Sequence, residues 1–216
     1  MKGKVLGVVV VLAVVFALVF SISGCKSNPA SPANTATTVP TVAATATATA
    51  TIVVPVYAQG FETSVGGFLP DTGVTNAISS AAISTTKAIE GTHSIALTFQ
   101  MVGGAQAAYV DKTIGGTANW VGKTISMKVW VPAAALVSTT QYAFEITIQA
   151  GTGWATYNSW VNSGIVADSW NTLTYVVPSN VDTLVGIWSL GFNIQEAGGT
   201  DMAAAAVLYI DDVKVQ

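Results

Sequence analysis

Two stretches decide the fold: KTISMKVWV (123–131) and QYAFEITIQ (141–149). In each, apolar and polar or small residues alternate with a period of two. The second stretch puts Tyr142, Phe144, Ile146 and Ile148 on one face and Glu145 on the other. Alternation over this length is typical of a β-strand that buries one side only. LGFNIQE (190–196) repeats the pattern. These stretches predict antiparallel strands around an apolar interior.

Short alternating segments separated by Gly, Pro, Asn and Asp continue through the chain from residue 55, and none has a sustained helical period. We therefore predict an all-β domain over 55–216, a two-sheet antiparallel β-sandwich of the jelly-roll type. Its predicted strands are Val56–Glu62, Val74–Ser80, Ser94–Met101, Ala105–Lys112, Lys123–Val131, Gln141–Gln149, Trp154–Val161, Asn171–Val177, Leu184–Gln195 and Val207–Val215.

Charge and composition exclude several functions. The 216 residues include 11 acids, eight lysines, no arginine and one histidine, for a net charge of −3. Three lysines precede residue 55 and no acid does, so the remainder carries 5 lysines against 11 acids, or −6. An acidic domain without arginine is a poor partner for phosphate backbones, which argues against nucleic-acid binding. A single cysteine and a single histidine argue against a disulfide framework, a cysteine-based zinc site and most histidine-dependent catalysis.

The N-terminus is typical of an export signal. A basic start precedes the apolar run 5–20, which is short for a membrane-spanning helix and ends in SISGC (21–25). This ending resembles the lipobox of bacterial lipoproteins, with Ile22 in place of the usual leucine. We predict a signal peptide over 1–24, a lipidated Cys25 and a flexible Thr/Ala/Pro linker over 25–54. The protein would then be exported and held at the bacterial cell surface by its acyl chains. The alternative is an ordinary secretory signal with an incidental cysteine.

If the four strands 123–131, 141–149, 171–177 and 190–196 share one sheet, the outer face of that sheet carries polar side chains and an exposed indole. Sugar hydroxyls pair with amides and carboxylates, and sugar C–H faces lie on indole rings. Trp154 and Trp160 share a strand face with polar residues between them, so they are candidate walls of the same site. The predicted ligand-binding residues are Lys128, Trp130, Glu145, Thr147, Gln149, Trp154, Trp160, Asn193 and Gln195.

The other tryptophans are predicted to pack. Trp120 lies in a glycine-containing loop that we expect to cover one end of the sandwich. Trp170 begins an apolar strand and is expected in the core. Trp188 has the same parity as Leu190 and Phe192 and is expected to point inward.

The globular part resembles the non-catalytic carbohydrate-binding modules of the galactose-binding-like jelly-roll class. The segments that carry the resemblance are GFE (60–62), EGTHSIAL (90–97), KTISMKVWVP (123–132), GW (153–154) leading to Trp160, SWNTLTY (169–175) and YIDDV (209–213). The resemblance implies a polysaccharide partner of the β-glucan, mannan or xylan type.

The resemblance also implies a structural calcium ion, carried over to Glu62 and Asp211. Calcium needs six to eight oxygen ligands, so backbone carbonyls near Gly60 and from 90–94 would complete the site. The alternative is that Glu62 is a solvated strand end and that Asp211 caps a loop.

The function predicted from the sequence is therefore non-catalytic polysaccharide binding by a lipid-anchored surface protein. A structural or adhesive β-sandwich without a sugar site is the main alternative. A glycosidase would need two carboxylates about 5–9.5 Å apart, and Glu145 is the only acid in the middle of a predicted sheet face. A lone acid among amides is better suited to accept hydrogen bonds from hydroxyls.

Overall fold

The computed structural model describes residues 54–71, 77–102, 107–136, 142–181, 186–196 and 201–216. Contacts divide the chain into two units, Met1–Thr49 and Ala50–Gln216, and the described residues belong to the second. The predicted signal peptide, Cys25 and the linker up to residue 53 lie outside the described residues. Within the described ranges, no helix is both long and apolar enough to span a membrane.

The described residues form eleven β-strands and one turn of 3₁₀ helix, Ala133–Ala135. The sequence missed the two-residue strand β2, placed β3 four residues too early and ended β5 too soon at residue 112. The remaining predicted strands contain or closely match observed ones. The strands are β1 Tyr57–Gln59, β2 Leu69–Pro70, β3 Ile78–Ser84, β4 Ser94–Phe99, β5 Ala107–Ala118, β6 Thr124–Val131, β7 Tyr142–Ala150, β8 Ala155–Asn158, β9 Ser169–Val176, β10 Ile187–Glu196 and β11 Ala206–Val215.

The strands form two antiparallel sheets, which confirms the predicted β-sandwich. The front sheet has the order β2-β5-β10-β7-β8. The back sheet has the order β3-β4-β11-β6-β9, and β1 pairs with the end of β11. The core between them consists of the inward residues of both sheets, such as Ile125, Met127 and Val129 of β6 and Phe144, Ile146 and Ile148 of β7.

The expectation that the strands 123–131, 141–149, 171–177 and 190–196 share one sheet is wrong. Strand β6 pairs with β11 and β9 in the back sheet, whereas β7 pairs with β10 and β8 in the front sheet. Pro132 ends β6, and the 3₁₀ turn that follows begins the connection from one sheet to the other. Lys128 and Trp130 therefore lie on the outer face of the back sheet, away from the face that carries Glu145.

Two expectations for tryptophans are also wrong, and one is confirmed. Trp120 is buried in the core as predicted. Trp170 is half-buried outside the core because the inward positions of β9 are Asn171, Leu173 and Tyr175. Trp188 leaves the alternation of β10 because the register shifts between Ile187 and Ser189, which places it on a β-bulge.

Candidate functional site

The outer face of the front sheet carries buried polar side chains bordered by exposed indoles, and we call this part of the molecule the front groove. Its floor comes from the two middle strands, β7 and β10. Although these side chains point away from the core, they are buried: Glu145, Thr147, Ser189 and Asn193. In a two-layer sandwich, outward polar residues are normally exposed to solvent. Burial on the outer face therefore indicates that the side chains around the floor shield it.

Glu145 is the centre of the floor and is 1% exposed. Its Oε2 accepts hydrogen bonds from Asn158 Nδ2 at 2.8 Å and from Asn193 Nδ2 at 3.0 Å. The register explains this arrangement, because Asn193 lies opposite Glu145 and Asn158 lies opposite the neighbouring outward residue, Thr147. Two amides therefore hold the carboxylate in one orientation.

Three buried oxygen atoms on the floor lack a hydrogen-bond partner within the described part of the chain. They are the hydroxyl oxygen Thr147 Oγ1 and two oxygens that can only accept, Glu145 Oε1 and Asn193 Oδ1. Asn193 uses its Nδ2 group on Glu145, so its Oδ1 is the atom left over. A buried acceptor without a donor costs free energy of about 1–3 kcal/mol. A ligand that brings hydroxyl donors to this floor would recover that cost.

Two exposed indoles lie along the β8 edge of the groove. Trp154 is 56% exposed and Trp160 is 52% exposed. The bridge between Phe144 and Val161 continues the β7–β8 register and puts Trp160 beside Glu145. Trp154 and Trp160 are thus both exposed, and Asn158, which lies between them in the sequence, contacts Glu145.

Glycine in the middle of the floor lets the neighbouring side chains pack closely over it. A Cβ at Gly191 would lie 2.7 Å from Thr147 Oγ1 and 3.0 Å from Tyr109 Oη. Any side chain at this position would clash with these two atoms, where β5, β10 and β7 run side by side. Gly191 therefore leaves room for the side chains that shield the floor.

The groove has acidic electrostatics. Asp111 pairs with Gly191 in register, and both burial and the neighbouring carboxylate of Asp71 raise the pKa of Asp111. Burial likewise raises the pKa of the Tyr109 hydroxyl. Among the described residues no lysine lies on this face. Lys87, Lys128 and Lys214 contact back-sheet or loop residues. Lys123 directly precedes the back-sheet strand β6, and Lys112 points to Tyr57 and Gln59. The face thus has no cation for a negatively charged ligand.

The structure brings together most of the predicted ligand-binding residues and separates two. Glu145, Thr147, Gln149, Asn193 and Gln195 share the outer face of the front sheet with Trp154 and Trp160. Gln149 accepts a hydrogen bond from Ser189 at 3.1 Å, and Gln195 is exposed at the end of the floor.

On the back sheet, Trp130 packs edge-on against Tyr209 and lies under the Lys87 ammonium group, 4.4 Å from the ring centre. Lys128 donates a hydrogen bond to Thr172. These contacts involve only neighbouring back-sheet and loop residues.

The two residues proposed for calcium hold the loop 89–93. Asp211 is 0% exposed, and its carboxylate accepts hydrogen bonds from the backbone N–H groups of Ile89, Glu90 and Asp212 at 2.8–3.1 Å. Glu62 accepts hydrogen bonds from the N–H groups of Thr92 and His93 and from the Thr92 hydroxyl. These contacts lower the pKa of the Glu62 carboxyl, the Thr92 N–H being the main cause.

This donor set does not fit a calcium ion as it stands. The oxygens of Glu62 and Asp211 face N–H groups, whereas calcium needs six to eight oxygens directed at one point. Within the described ranges, no group of three or more His, Cys, Asp or Glu side chains could hold a metal. An ion would have to displace the loop hydrogen bonds. The sequence prediction of calcium at Glu62 and Asp211 therefore stays untested, and the contacts of the described residues argue against it.

Sequence reasoning missed three residues of the groove. Asn158 is an even number of residues from Trp154 and Trp160, so the alternation along the strand places it on the same face as they were predicted to occupy. This spacing was the available signal that Asn158 belongs to the site. Tyr109 lies in AYVDK (108–112), where the alternation is too short to assign a face. Trp188 could not be placed from the sequence, because a bulge reverses the parity that predicts inward orientation.

Comparison with known proteins adds the fold family. No protein-family model and no curated protein sequence matches the chain. Among solved structures, one from a study of the promiscuous specificity of carbohydrate-binding modules of the β-sandwich superfamily is similar at 20% identity, with a TM-score of 0.58. The alignment covers 73% of this chain and 60% of that chain. A family 27 carbohydrate-binding module of Caldicellulosiruptor saccharolyticus, solved with mannohexaose, is similar at 16% identity with a TM-score of 0.54. It covers 76% of this chain and 98% of that one.

At these identities the similarity concerns the fold. Both neighbours are carbohydrate-binding modules, in agreement with the jelly-roll class to which the sequence motifs pointed. The described domain therefore has the jelly-roll β-sandwich fold of the carbohydrate-binding modules.

Proposed function

We propose that this domain binds a neutral polysaccharide of the β-glucan, mannan or xylan type in the front groove, without catalysing a reaction. The observation that carries the proposal is the pair of buried acceptors without donors, Glu145 Oε1 and Asn193 Oδ1, on a floor flanked by exposed Trp154 and Trp160. Sugar hydroxyls supply the missing donors, and the indoles supply apolar surface for the C–H faces of the rings.

Ligand entry requires movement at the β8 edge. The two acceptors are shielded from solvent, and the half-exposed ring of Trp160 is in register with Glu145. Because Trp160 is the exposed indole in register with Glu145, we propose that rotation of its side chain opens the way to Oε1 and places its ring against the incoming sugar. Exposed side chains change rotamer quickly compared with ligand association, so this step need not slow binding.

The charge distribution favours a neutral ligand. The floor presents Glu145 and Asp111, and the described part of this face has no lysine to pair with a uronate or a sulfate. A negatively charged chain would be desolvated against these acids without compensation. The same side chains accept hydrogen bonds from neutral hydroxyls.

The magnitudes support weak binding. One indole that buries about 150 Å² contributes at most about 4 kcal/mol at ~25 cal/mol per Å². Association costs at least about 4 kcal/mol, so one tryptophan alone cannot hold a sugar. Two indoles and several hydrogen bonds of ~1 kcal/mol each give micromolar to millimolar dissociation constants. A repeating polymer offers many equivalent sites, so such affinities are sufficient.

The arrangement of acids favours binding over hydrolysis. Glycosidases place two carboxylates about 5–9.5 Å apart. The other acid of this face that the structure describes on β5, Asp111, is two strands and two residues away from Glu145. Glu145 Oε2 is also held by two amides. These features suit a fixed acceptor.

Calorimetric titration of the purified full chain tests the proposal. We expect binding to soluble β-glucan, mannan or xylan, quenching of tryptophan fluorescence, and no binding to polygalacturonate. Trp154→Ala should lose most of the affinity, whereas Trp130→Ala, the matched change on the back sheet, should keep it. Failure of the wild type to bind any neutral polysaccharide would leave the structural or adhesive role.

Anchoring at the cell surface is a further part of the proposal. The apolar run followed by SISGC (21–25) supports cleavage before Cys25 and acylation of its thiol. Membrane fractionation of cells that express the wild type and Cys25→Ser tests it. The wild type should pellet with membranes and the variant should be released. Equal partition after signal cleavage would contradict the anchor.

A further inference from the structure

One end of the front groove is built on a pair of stacked tryptophans. The rings of Trp154 and Trp188 are 5.1 Å apart between centroids and only 15° from parallel. Trp154 belongs to the turn before β8, and Trp188 lies on the bulge of β10. Trp154 is more than half exposed, whereas Trp188 is half-buried beneath it. One ring face of Trp154 is therefore supported by Trp188.

The backbone around Trp188 is shaped to receive its ring. A Cβ at Gly116 of β5 would lie 2.8 Å from Trp188 Cε2 and 2.9 Å from Cζ2, and Gly116 has a φ of +76°. A Cβ at Gly186 would lie 2.8 Å from the carbonyl oxygens of Gly116 and Ala118. The ring of Trp188 thus lies flat on the backbone of β5, at a distance that only glycine allows.

The pair is maintained against two local costs. Trp154 has a φ of +55°, a left-handed conformation that disfavours large side chains. Trp188 Nε1 is buried and has no partner within the described part of the chain. Strain of this kind in a folded protein is concentrated at functional sites. A pair that served stability alone would not need an exposed indole on a strained residue.

We infer that Trp188 is a positioning residue, which fixes the ring plane of Trp154 so that its exposed face receives the apolar face of a pyranose ring. The inference rests on the proposed function. Trp188 itself is covered by Trp154 on the stacked side, so it acts through the orientation of Trp154. A ring that is already fixed loses no rotamer freedom on binding, and this favours affinity.

Circular dichroism and calorimetric titration of the full chain together test the inference. Two stacked indoles give an exciton couplet in the far ultraviolet, and we expect it in the wild type. Trp188→Ala should abolish the couplet and weaken polysaccharide binding up to about tenfold, the equivalent of one aromatic pair. Trp188→Phe should restore most of the affinity. Trp160→Ala should keep the couplet, because Trp160 is not part of the stack.

Two glycine variants provide a matched comparison. Gly115 and Gly116 both have positive φ values, but a Cβ at Gly115 meets nothing within 4 Å. Both alanine variants therefore carry backbone strain, and only Gly116→Ala pushes on the Trp188 ring. We expect Gly116→Ala to lose the couplet and affinity and Gly115→Ala to keep both.

Two results would overturn the inference, and they differ from failure of the proposed function. One is a wild-type couplet that persists in Trp188→Ala. The other is normal binding by Trp188→Ala in a chain where Trp154→Ala binds weakly. If the wild type binds no polysaccharide, the proposed function fails and the positioning role falls with it, even if the couplet is present.

Discussion

Two buried carboxylates, one on each sheet, differ in how completely they are satisfied. Asp211 on the back sheet accepts three backbone N–H groups and has both oxygens occupied. Glu145 on the front sheet has one oxygen held by two amides and one without a donor in the described residues. Both residues are almost completely shielded from solvent. Asp211 is suited to hold a loop, whereas Glu145 is suited to accept a hydrogen bond from a ligand.

The faces around them differ in the same way. On β6 of the back sheet, inward residues are buried and outward residues are half-exposed in strict alternation. On β7 of the front sheet, residues on both sides are buried. Since both strands are in a two-layer sandwich, the difference comes from the walls that surround the front groove. The proposed binding face therefore differs from the back sheet in having outward polar residues that are buried yet incompletely hydrogen-bonded.

The largest effect is expected for Asp211→Ala. It leaves the N–H groups of Ile89, Glu90 and Asp212 without their acceptor, and hydrogen bonds to a carboxylate contribute about 1.5–3 kcal/mol each. The free energy of unfolding should fall by about 3 kcal/mol or more, measured by denaturant titration. Polysaccharide affinity of the folded protein should not change. A stability equal to that of the wild type would contradict the structural role.

Glu145→Ala should have a smaller effect on stability and a decisive effect on binding. The Asn158 and Asn193 amides lose their acceptor, which costs about 1–3 kcal/mol, and the ligand loses the central acceptor of the floor. Lys128→Ala on the back sheet is the control, with changes within about 0.5 kcal/mol as for most surface substitutions. If Glu145→Ala binds polysaccharide with the affinity of the wild type, the floor residues are not part of the binding site.

Acid should release the loop held by Glu62. Its pKa is lowered below the usual 4.5 by hydrogen bonds from Thr92 and His93. A depressed pKa in the folded state means that the stabilisation is complete above the unfolded pKa and is lost as the pH falls through the folded value. The protection of the Thr92 and His93 amides, taken as the intrinsic exchange rate at each pH divided by the observed rate, should therefore fall at low pH. In Glu62→Gln, which cannot titrate, this fall should be absent, and its persistence would assign it to another group.

The smallest effect is expected on chelation. Because Glu62 and Asp211 already accept loop N–H groups, we expect the melting temperature to be the same with and without a chelator. A native-state ligand would stabilise the fold by mass action, and its removal would lower the melting temperature. A drop on chelation that calcium restores would establish the ion and show that the loop rearranges to bind it.

The strands and the inward residues could be predicted because period-two alternation is local. Ile146 and Ile148 follow it without exception, and so does Glu145 on the opposite side. Sheet membership could not be predicted, because identical alternation is compatible with either sheet. The error for Trp130 and Lys128 came from this ambiguity. The prediction for Trp188 was wrong for a different reason. A bulge adds one residue to β10 between Ile187 and Ser189, and this extra residue breaks the alternation from which the inward orientation of Trp188 was predicted.

By itself the sequence determined an acidic, arginine-free β-sandwich domain and the residues that face its core, because solvent and core impose a pattern on each strand separately. The tertiary structure decided which outward residues meet. Pairing of β7 with β8 and β10 brought Asn158 and Asn193 to Glu145, and the β10 bulge put Trp188 under Trp154. These contacts join residues 13 to 48 positions apart. Strand order and register set them, and neither is encoded in the local period of any strand.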